Sequence, residues 1–423
     1  MLQVQEIRTN KTAILEALKK RGGDYSINIE KALALDSRRK AIQTDLENLQ
    51  AESNKISRTV GELFKSGQKE YASKIRARSS EIKMQTKQLS SDLEDCKIQL
   101  QEYLYKIPNV PNEKVPFGTS EEDNKEIYRG GKTPNSPSES NPHWELAKRY
   151  NLIDFDLGNK VTGSGFPIYI GKGAKLQRAL VSFFLDRNTE AGYTEYQPPL
   201  LVNEASGYGT GQLPDKEGQM YYVGEDNLYL IPTSEVPITN IFRACILKKE
   251  DLPIKCTAFT PCFRREAGSY GAHVRGLNRL HQFDKVEIVR VEHPKKSHQA
   301  LDEMVSQVKS LLEQLELKYR ILLLCGSDLG FTSALTYDFE VFSATQKKWL
   351  EVSSVSNFET FQANRLKLRF RESDGKTYLA HTLNGSALAL PRIVAALLEN
   401  HQTKEGIKIP KALVPYTGFE WIY

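Results

Sequence analysis

Several features that mark other classes of protein are missing from this sequence. No apolar run approaches 18 residues, so no helix is expected to span a membrane. The first 23 residues are amphipathic and charged, and they lack the apolar block and the small-residue cleavage site of a signal peptide. No CxxC pair occurs among the five cysteines, which argues against a disulfide framework or a zinc knuckle. The cysteines are Cys96, Cys245, Cys256, Cys262 and Cys325. We therefore expect a soluble protein in a reducing, cytoplasmic setting.

The histidine and glycine patterns argue against two further kinds of site. The seven histidines contain no HExxH and no pair at metal-ligand spacing. Glycine-rich segments at 131–133, 171–173 and 209–211 lack the neighbouring residues that a P-loop or a dinucleotide-binding fingerprint requires. We interpret these three segments as turns.

The residues that are present give the composition of an ordinary globular protein. The 423 residues are 26% charged and 39% hydrophobic, which allows a large core and two or three domains. Residues 1–107 hold 20 Lys and Arg against 15 Asp and Glu, which accounts for the whole net charge of +5. Between 55 and 87, nine basic residues face only three acidic ones. Such a stripe indicates an acidic partner, although a solvated helix face has the same pattern.

Residues 1–107 contain almost no Gly or Pro and have the periodicity of long helices. Apolar side chains recur every seven residues in two runs, which Gly67 separates. The first run is Leu35, Ile42, Leu49, Ile56 and Leu63, and the second is Ile75, Ile82, Leu89, Cys96 and Tyr103. This pattern predicts an antiparallel helical hairpin that projects into solvent with its basic stripe at the outer half. A dimerisation coiled coil is the alternative.

The composition changes twice after this helical segment. Residues 108–142 are rich in Pro, Gly, Ser and Asn and have no period, which is typical of a linker. From residue 143 onward, short β-branched strands alternate irregularly with helices. This pattern favours an α+β fold, with an antiparallel sheet flanked by helices, over a doubly wound parallel sheet. The sequence therefore predicts a helical arm (1–107), a linker (108–142) and an α+β domain (143–423).

Residues 263–287 contain charged and aromatic side chains in a strand–loop–strand pattern. Alternation along a strand places Arg264 and Glu266 on one face. It does the same for Phe283, Lys285 and Glu287 on the second strand. One surface would then offer a guanidinium for a phosphate, an aromatic ring for a base, and carboxylates for amine or hydroxyl donors.

Two more clusters fit a nucleotide. Glu351 is followed by Ser353 and Ser354, and a carboxylate with hydroxyls suits a Mg²⁺ that also binds phosphate oxygens. Arg392 precedes an apolar helix, where its charge and the free backbone N–H groups of the helix start make a phosphate site. Each cluster alone fits a surface ion pair on a sheet equally well.

Taken together, these segments resemble the class II aminoacyl-tRNA synthetases, in their seryl form. FRREAGSYG with RGLNRLHQFDKVE (263–287) is similar to motif 2, GYTEYQPP (192–199) to motif 1, and TLNGSALALPR (382–392) to motif 3. Further similarity lies in GTGQLP (209–214), IPTSEVP (231–237) and EVSS (351–354). The motifs are in order and correctly spaced, and the resemblance covers essentially the whole chain.

The resemblance implies an enzyme that attaches L-serine to tRNA(Ser) in two steps. Serine and ATP would form seryl-adenylate with release of pyrophosphate, and the serine would then pass to the tRNA with release of AMP. Mg²⁺ is the implied cofactor. The implied assembly is a homodimer with Pro199 near the subunit interface, and the helical hairpin would hold the long variable arm of the tRNA. The tRNA for selenocysteine is left open as a second substrate.

The family's site residues carry over onto matching positions of this sequence. The implied catalytic residues are Arg264, Glu266 and Arg392. The implied ATP-binding residues are Arg264, Arg265, Glu266, Arg279, Leu280, Phe283, Glu351, Val352, Ser353, Ser354 and Arg392, of which Glu351 and Ser354 would bind Mg²⁺. The implied serine-binding residues are Thr233, Ser234, Glu235, Glu287, Asn384 and Ser386. For tRNA, the arm offers Lys55, Arg58, Lys69, Lys74, Arg76 and Arg78.

Three positions depart from the family pattern. Ala272-His273 stands where the motif 2 loop usually carries charged residues, Gly165 stands where Arg is frequent, and Val355 replaces a common Cys.

Two other functions remain open. One is a nucleic-acid-binding homologue without catalysis, which the presence of Arg264, Glu266, Glu351 and Arg392 disfavours. The other is an adenylate-forming ligase that loads a carrier protein, which the intact helical arm disfavours.

Overall fold

The structure, a computed structural model, describes residues 1–132, 140–215, 217–266 and 275–423. The chain divides into two units. One comprises Met1–Lys19 and Gly23–Pro108, and the other comprises Lys20–Gly22 and Asn109–Tyr423. No helix of the described residues is long and apolar enough to cross a membrane.

The first unit consists of helices. Two short helices, α1 (Val4–Thr9) and α2 (Lys11–Leu18), precede two long ones, α3 (Ser26–Lys65) and α4 (Lys69–Tyr105). The 40 residues of α3 extend over about 60 Å at 1.5 Å per residue. Gly67, between α3 and α4, has φ +80°, a left-handed conformation that glycine adopts without steric cost. The predicted helical hairpin is confirmed, and its turn lies at the predicted glycine.

The heptad positions form the seam between α3 and α4. Its best buried cluster is Ile42, Leu46, Leu93 and Cys96, with Leu35 and Leu89 packed against it. Nearer the turn, Leu49, Ile56 and Leu63 are only half-buried, because two helices alone cannot enclose their contact surface. There, Arg78 of α4 bridges to Glu52 of α3, with an Nε–Oε1 distance of 2.9 Å.

The second unit mixes strands and helices along the chain. Its strands are β1 (Lys125–Gly130), β2 (Ile153–Asp154), β3 (Ile168–Tyr169), β4 (Thr194–Glu195), β5 (Leu201–Asn203), β6 (Tyr222–Val223), β7 (Leu228–Leu230), β8 (Ile246–Lys248), β9 (Ile254–Phe263), β10 (Gln282–Glu292), β11 (Tyr319–Leu323), β12 (Leu335–Ser343), β13 (Lys348–Glu359), β14 (Arg369–Arg371), β15 (Thr377–Leu379), β16 (His381–Ala389), β17 (Ile407–Lys408) and β18 (Trp421–Ile422). Its helices are α5 (His143–Arg149), α6 (Phe155–Val161), α7 (Gly171–Glu190), α8 (Glu204–Thr210), α9 (Glu235–Asn240), α10 (Ser297–Gln314), α11 (Thr360–Leu366), α12 (Leu390–Asn400) and α13 (Val414–Thr417).

The largest sheet has eight strands in the order β1-β11-β12-β13-β16-β10-β9-β4. Its neighbouring strands are antiparallel, apart from the parallel pair β4 and β9. The predicted α+β fold with an antiparallel sheet is therefore confirmed. The other described strands form small sheets of two or three members.

The two faces of this sheet are covered differently. Along β10, Val286 and Ile288 point into the large core that α7, α10 and α12 complete. The alternate residues Val289 and Val291 point the other way, into a second core with residues of α9 and α11. Because alternation is strict along a strand, Glu287 lies on this second face, next to the smaller core.

Part of the predicted linker differs from the prediction. Lys125–Gly130 forms β1, which pairs antiparallel with β11 at the edge of the large sheet. Asn109 is also held in this unit, since its Nδ2 donates to the carbonyl oxygens of Thr332 and Phe358 at 2.9 Å each. Of the segment 108–142, residues 133–139 lie outside the described residues.

Candidate active site

The antiparallel pair β9–β10 carries the first part of the site. Its register places Cys262 opposite Phe283 and Ala258 opposite Glu287. Lys285 and Glu287 are almost fully buried, with 5% and 1% of their surfaces exposed, and Lys285 Nζ forms an ion pair with Glu287 Oε2. A buried charge is costly unless it is paired, so this pair keeps a carboxylate in the interior of the protein.

Two further polar side chains, those of Thr233 and Asn384, contact Glu287. Thr233 donates from Oγ1 to Glu287 Oε2 at 2.9 Å, and Lys285 Nζ donates to the same Thr233 oxygen at 2.9 Å. Asn384 of β16 donates from Nδ2 to Glu287 Oε1 at 3.2 Å. Ser386 is paired with Glu287 in the β10–β16 register. The structure thus brings two of the predicted serine-binding residues, Thr233 and Asn384, to the carboxylate of a third, Glu287, with Ser386 on the neighbouring strand.

Glu235 and Ser234 lie beside this group at the start of α9. Both are buried, and Gln362 of α11 donates from Nε2 to Glu235 Oε1 at 2.7 Å. Burial raises the pKa of Glu235, the hydrogen bond from Gln362 lowers it and the nearby charge of Glu287 raises it, giving a pKa of about 7. At neutral pH this carboxyl is therefore near its titration midpoint and responds to a nearby cation.

Arg264 and Phe283 form the next part of the site. The Arg264 guanidinium lies 5.2 Å from the centre of the Phe283 ring, and its Nε donates to the carbonyl oxygen of Pro232 at 3.3 Å. The backbone N–H of Arg264 donates to the carbonyl oxygen of His281 at 2.9 Å, which ties the ends of the two strands together. Arg265, next in the chain, is exposed.

Two arginines of the site, Arg392 and Arg279, each have a carboxylate partner. Arg392, in the first turn of α12, donates from Nη1 to the carbonyl oxygen of Glu351 at 2.6 Å and lies 3.5 Å from its Oε2. Arg279 forms an ion pair with Glu266. Leu280, which follows Arg279, is buried. Each pair places a guanidinium and a carboxylate side by side at the site.

Strand β13 contributes oxygen atoms. Val352 and Ser353 are buried, and Ser353 Oγ donates to the carbonyl oxygen of Ser386 at 2.6 Å. Ser354 is opposite Asp338 of β12 in register. Burial and the charge of Glu351 raise the pKa of Asp338 well above its usual value, and Asp338 Oδ1 has no hydrogen-bond partner among the described residues.

The same chain is similar to known proteins along its whole length. Residues 221–401 match the model of the class II core domain of tRNA synthetases for G, H, P, S and T, and residues 1–111 match that of the seryl-tRNA synthetase N-terminal domain. The serine–tRNA ligase of Salinibacter ruber is 49% identical, over 99% of this chain and 98% of that protein. The one from Finegoldia magna is 43% identical over 100% of both. The chain belongs to the seryl-tRNA synthetase family. It is thus a class II aminoacyl-tRNA synthetase, a serine–tRNA ligase.

A solved seryl-tRNA synthetase has the same fold. The crystal structure of the Pyrococcus horikoshii enzyme, complexed with ATP, superposes with a TM-score of 0.91 at 34% identity, covering 100% of this chain and 99% of that one.

Sequence reasoning missed three residues of this seryl-tRNA synthetase site. Lys285 was placed on the right face but given no role, although it contacts both Thr233 and Glu287. Gln362, the partner of Glu235, and Asp338, opposite Ser354, were not singled out. For Asp338, an acidic residue between the strand-forming neighbours Tyr337 and Phe339 was an available signal. For Gln362, none was available, because only tertiary packing brings α11 to the site.

The departures from the seryl-tRNA synthetase pattern have different outcomes. Gly165 has φ +83°, and a Cβ atom there would lie 2.5 Å from Cδ2 of His281. The His281 ring stacks on Phe166, so glycine gives this ring its space. Val355 is buried against Gly385. Ala272-His273 lies outside the described residues.

The arm residues predicted to bind tRNA also differ among themselves. Lys55 and Arg58 are exposed on α3. Arg78 is engaged in ion pairs with Glu52 and Glu81, which raise its pKa. The side chains of the other three, Lys69, Lys74 and Arg76, lie outside the described residues.

Proposed function

We propose that this seryl-tRNA synthetase activates L-serine with ATP as seryl-adenylate and transfers the seryl group to tRNA(Ser). The observation that carries the proposal is the hydrogen-bonded group of Thr233, Lys285, Glu287 and Asn384 beside the Arg264–Phe283 pair. A small polar amino acid needs such a closely spaced donor and acceptor set, and a nucleotide needs the aromatic ring and the guanidinium next to it.

We assign serine binding to the residues around the buried Lys285–Glu287 ion pair. Glu287 accepts a hydrogen bond from the serine hydroxyl, with Asn384 and Ser386 alongside it. Thr233, Ser234 and Glu235 bind the α-ammonium group, which favours the ionised form of Glu235. A site that hydrogen-bonds a hydroxyl in the interior rejects an amino acid without one, because its own polar groups would then be unpaired.

The ATP-binding part is assigned to the aromatic and cationic side chains. Phe283 stacks on adenine, Glu266 contacts the adenine side of ATP, and Leu280 approaches ATP through its backbone. Arg264 binds the α-phosphate and the serine carboxylate. Arg279 and Arg392 bind the β- and γ-phosphates, with Arg265, Val352 and Ser353 completing the surroundings. The P. horikoshii relative was crystallised with ATP, which supports a nucleotide at this site.

The residues on β12 and β13 fit Mg²⁺. Glu351 and Ser354 offer oxygen ligands. The pKa of Asp338 is raised and its Oδ1 has no hydrogen-bond partner among the described residues, which together indicate an excess of acidic oxygen near Ser354. Among the described residues, no group of three His, Cys, Asp or Glu side chains is placed to hold a metal alone. This suits Mg²⁺, which keeps waters and binds through one or two carboxylates plus substrate phosphates. When bound, the ion neutralises phosphate charge.

The proposed chemistry depends on positioning and charge neutralisation. A carboxylate oxygen of serine attacks the α-phosphorus of ATP in line, forming the acyl-phosphate bond and releasing pyrophosphate. Arg264 holds both reacting groups. A ribose hydroxyl at the tRNA 3′ end then attacks the acyl carbon, and AMP leaves. No covalent bond to the enzyme forms in either step.

The helical hairpin is assigned to tRNA. Lys55 lines a groove of about 460 Å³ together with Tyr71 and Arg78, and Arg58, three residues after Lys55 on α3, is exposed. Basic and aromatic side chains together suit an RNA backbone and its bases. Recognition through shape and phosphate contacts reads little sequence, so we extend the proposal to tRNA(Sec) as a second substrate.

Pyrophosphate exchange with a panel of amino acids tests the proposal, followed by charging of tRNA(Ser). We expect exchange that depends on serine, and acylated tRNA when tRNA(Ser) is added. Serine-dependent exchange with acylation of a carrier protein instead of tRNA would favour the carrier-protein ligase. RNA binding without exchange would favour the inactive homologue.

A further inference from the structure

A buried histidine outside the predicted site contacts the segment that leads into it. His143, the first residue of α5, has no exposed surface. Its Nε2 accepts a hydrogen bond from the backbone N–H of Leu277 at 2.9 Å, and its Nδ1 lies 2.7 Å from Oε1 of Glu399 in α12. Because Nε2 accepts, the proton of the neutral ring is on Nδ1 and is donated to Glu399.

Glu399 holds this histidine in one orientation. Its Oε1 also accepts from the His143 backbone N–H at 2.9 Å and from Gln346 Nε2 at 2.8 Å, and Ser343 Oγ donates to Oε2. With this many donors the buried carboxylate stays charged and its position is fixed. A charged acceptor on Nδ1 sets the tautomer that leaves Nε2 free to accept.

The segment that His143 contacts leads directly to the phosphate-binding arginines. Gly276 approaches so closely that a Cβ atom there would lie 2.2 Å from His143 Nε2. The carbonyl oxygen of Asn278 accepts from Arg392 Nε at 3.1 Å, and Arg279 follows in the chain. The Asn278 side chain also reaches Gln346 Oε1 at 3.4 Å, so the segment is joined to Glu399 by a second route.

We infer that His143 is a positioning residue for ATP. By accepting the Leu277 N–H, it fixes residues 276–280 and, through the Asn278 carbonyl, the guanidinium of Arg392. This inference rests on the proposed function, which assigns Arg279 and Arg392 to the β- and γ-phosphates. Without this hydrogen bond the two guanidinium groups lose their spacing, and the affinity for ATP falls while the serine pocket is unaffected.

Two substitutions of His143 separate its two hydrogen bonds. The His143→Gln side chain is long enough to put an amide oxygen near Nε2, where it accepts from Leu277. The His143→Asn side chain reaches only the Nδ1 position, so it donates to Glu399 and leaves the Leu277 N–H without an acceptor. A buried unpaired N–H is costly, so we expect His143→Asn to weaken ATP binding about tenfold. We expect His143→Gln to stay within about threefold of wild type.

The measurements are the ATP dissociation constant by calorimetry and the KM values for ATP and serine in pyrophosphate exchange. The serine KM should change less than twofold in both variants. His401→Asn is the control, because the ring of this half-buried histidine bonds the Leu315 carbonyl oxygen, away from residues 276–280. It should leave ATP binding unchanged. Equal ATP affinity in His143→Asn and His143→Gln, or parallel losses for ATP and serine, would overturn the inference.

If His143→Asn does not fold, Gln346→Met tests the same inference at a less buried position. Gln346 is half-buried, and its amide joins Glu399 to Asn278. We expect a smaller loss of ATP affinity, about threefold, with an unchanged serine KM. Unchanged ATP affinity in a folded Gln346→Met protein would count against the inference. Failure of this inference can be told apart from failure of the proposed function. If the proposed function were wrong, wild type would bind ATP but show no serine-dependent exchange. Calorimetry of ATP binding would still test the role of His143 in that case.

Discussion

At the scale of single residues, the two buried carboxylates of the site differ in their partners. Glu287 is paired with the Lys285 cation and accepts from Thr233 and Asn384. Glu235 has the neutral amide of Gln362 as its direct donor. The two carboxylates therefore suit different parts of serine. Glu287 is a fixed acceptor for the hydroxyl, and Glu235 is a titratable carboxyl for the ammonium group.

The first prediction concerns Glu287→Gln. The change removes the charge from the proposed hydroxyl acceptor and leaves Lys285 unpaired. We expect the KM for serine in pyrophosphate exchange to rise at least tenfold, which corresponds to about 1.4 kcal/mol. ATP affinity should change less than threefold.

Glu292→Gln is the matched control for Glu287→Gln. Glu292 lies on the same strand, is equally buried and is paired with Arg290 at 2.9 Å. The control should lower the melting temperature, since it removes one of the two carboxylates that pair with the buried Arg290, but it should keep the serine KM. Equal loss of ATP and serine binding in Glu287→Gln would refute the assignment of this residue.

The second prediction concerns pH. Because the pKa of Glu235 is raised to about 7, the carboxylate that binds the ammonium group becomes populated as pH rises through 7. We expect the KM for serine to fall between pH 6 and pH 8, and we expect Glu235→Gln to abolish this dependence. A serine KM that does not change with pH in wild type would contradict the proposed role of Glu235.

The same raised pKa has a stability consequence with a definite sign. The folded state favours protonated Glu235, so the contribution of this group is present below its unfolded pKa and is lost as pH rises through about 7. Glu235→Gln should therefore gain stability relative to wild type on going from pH 5 to pH 8. The difference is at most about 3 kcal/mol and is measured by chemical unfolding at both values.

The sequence predicted which residues form the site better than it predicted the hydrogen bonds between them. Thr233, Glu287 and Asn384 were recognised from motifs, and the structure places them in contact. Gln362 is separated from Glu235 by 127 residues, and only the packing of α11 against α9 and the sheet brings them together. The reason for Gly165 was also absent from the sequence, because it depends on the position of the His281 ring.

At the scale of secondary structure, periodic elements were predictable and one polar edge strand was not. The seven-residue repeat predicted α3 and α4, because their seam must bury one face of each helix. Strand β1 has an almost fully exposed sequence, KEIYRG, without the alternation that identifies a strand. It is held by backbone hydrogen bonds to β11, and backbone pairing leaves no trace in composition.

The arm gives the third prediction. Replacing Lys55 and Arg58 together by Ala should raise the KM for tRNA and lower the slope of log affinity against log salt by about 2, because two phosphate contacts are lost. Pyrophosphate exchange should be unchanged, which shows that the substitution acts on tRNA alone. Lys31→Ala, an exposed lysine of α3 outside the basic stripe, is the control and should have little effect. An unchanged salt slope in the double variant would remove Lys55 and Arg58 from the RNA-binding surface.

At the scale of the whole molecule, the segment that resembles motif 1 leaves apolar side chains uncovered. Pro199 is exposed, and Leu201 has 40% of its surface exposed. Leu200 and Val202 of the same run pack inward against a small core, so Pro199 and Leu201 remain uncovered, and we propose that a second copy of the chain covers them.

The fourth prediction follows from that surface. Leu201→Asp should convert a dimer into a monomer in sedimentation at micromolar concentration, because a charge at a subunit contact is desolvated without a partner. Val161→Asp changes a residue that is 74% exposed outside this run and should leave the dimer intact. A monomeric wild type would rule out the proposed assembly.

The most direct test of the two-part account compares the full chain with a chain that lacks residues 30–105, each assayed for serine-dependent pyrophosphate exchange and for charging of tRNA(Ser) at physiological salt. We assign serine activation to the unit built on the large sheet and tRNA binding to the helical hairpin. We therefore expect exchange by both proteins and charging by the full chain only. Charging by the shortened chain at a rate near that of the full chain would contradict the account, because the hairpin would then be a structural or dimerisation element.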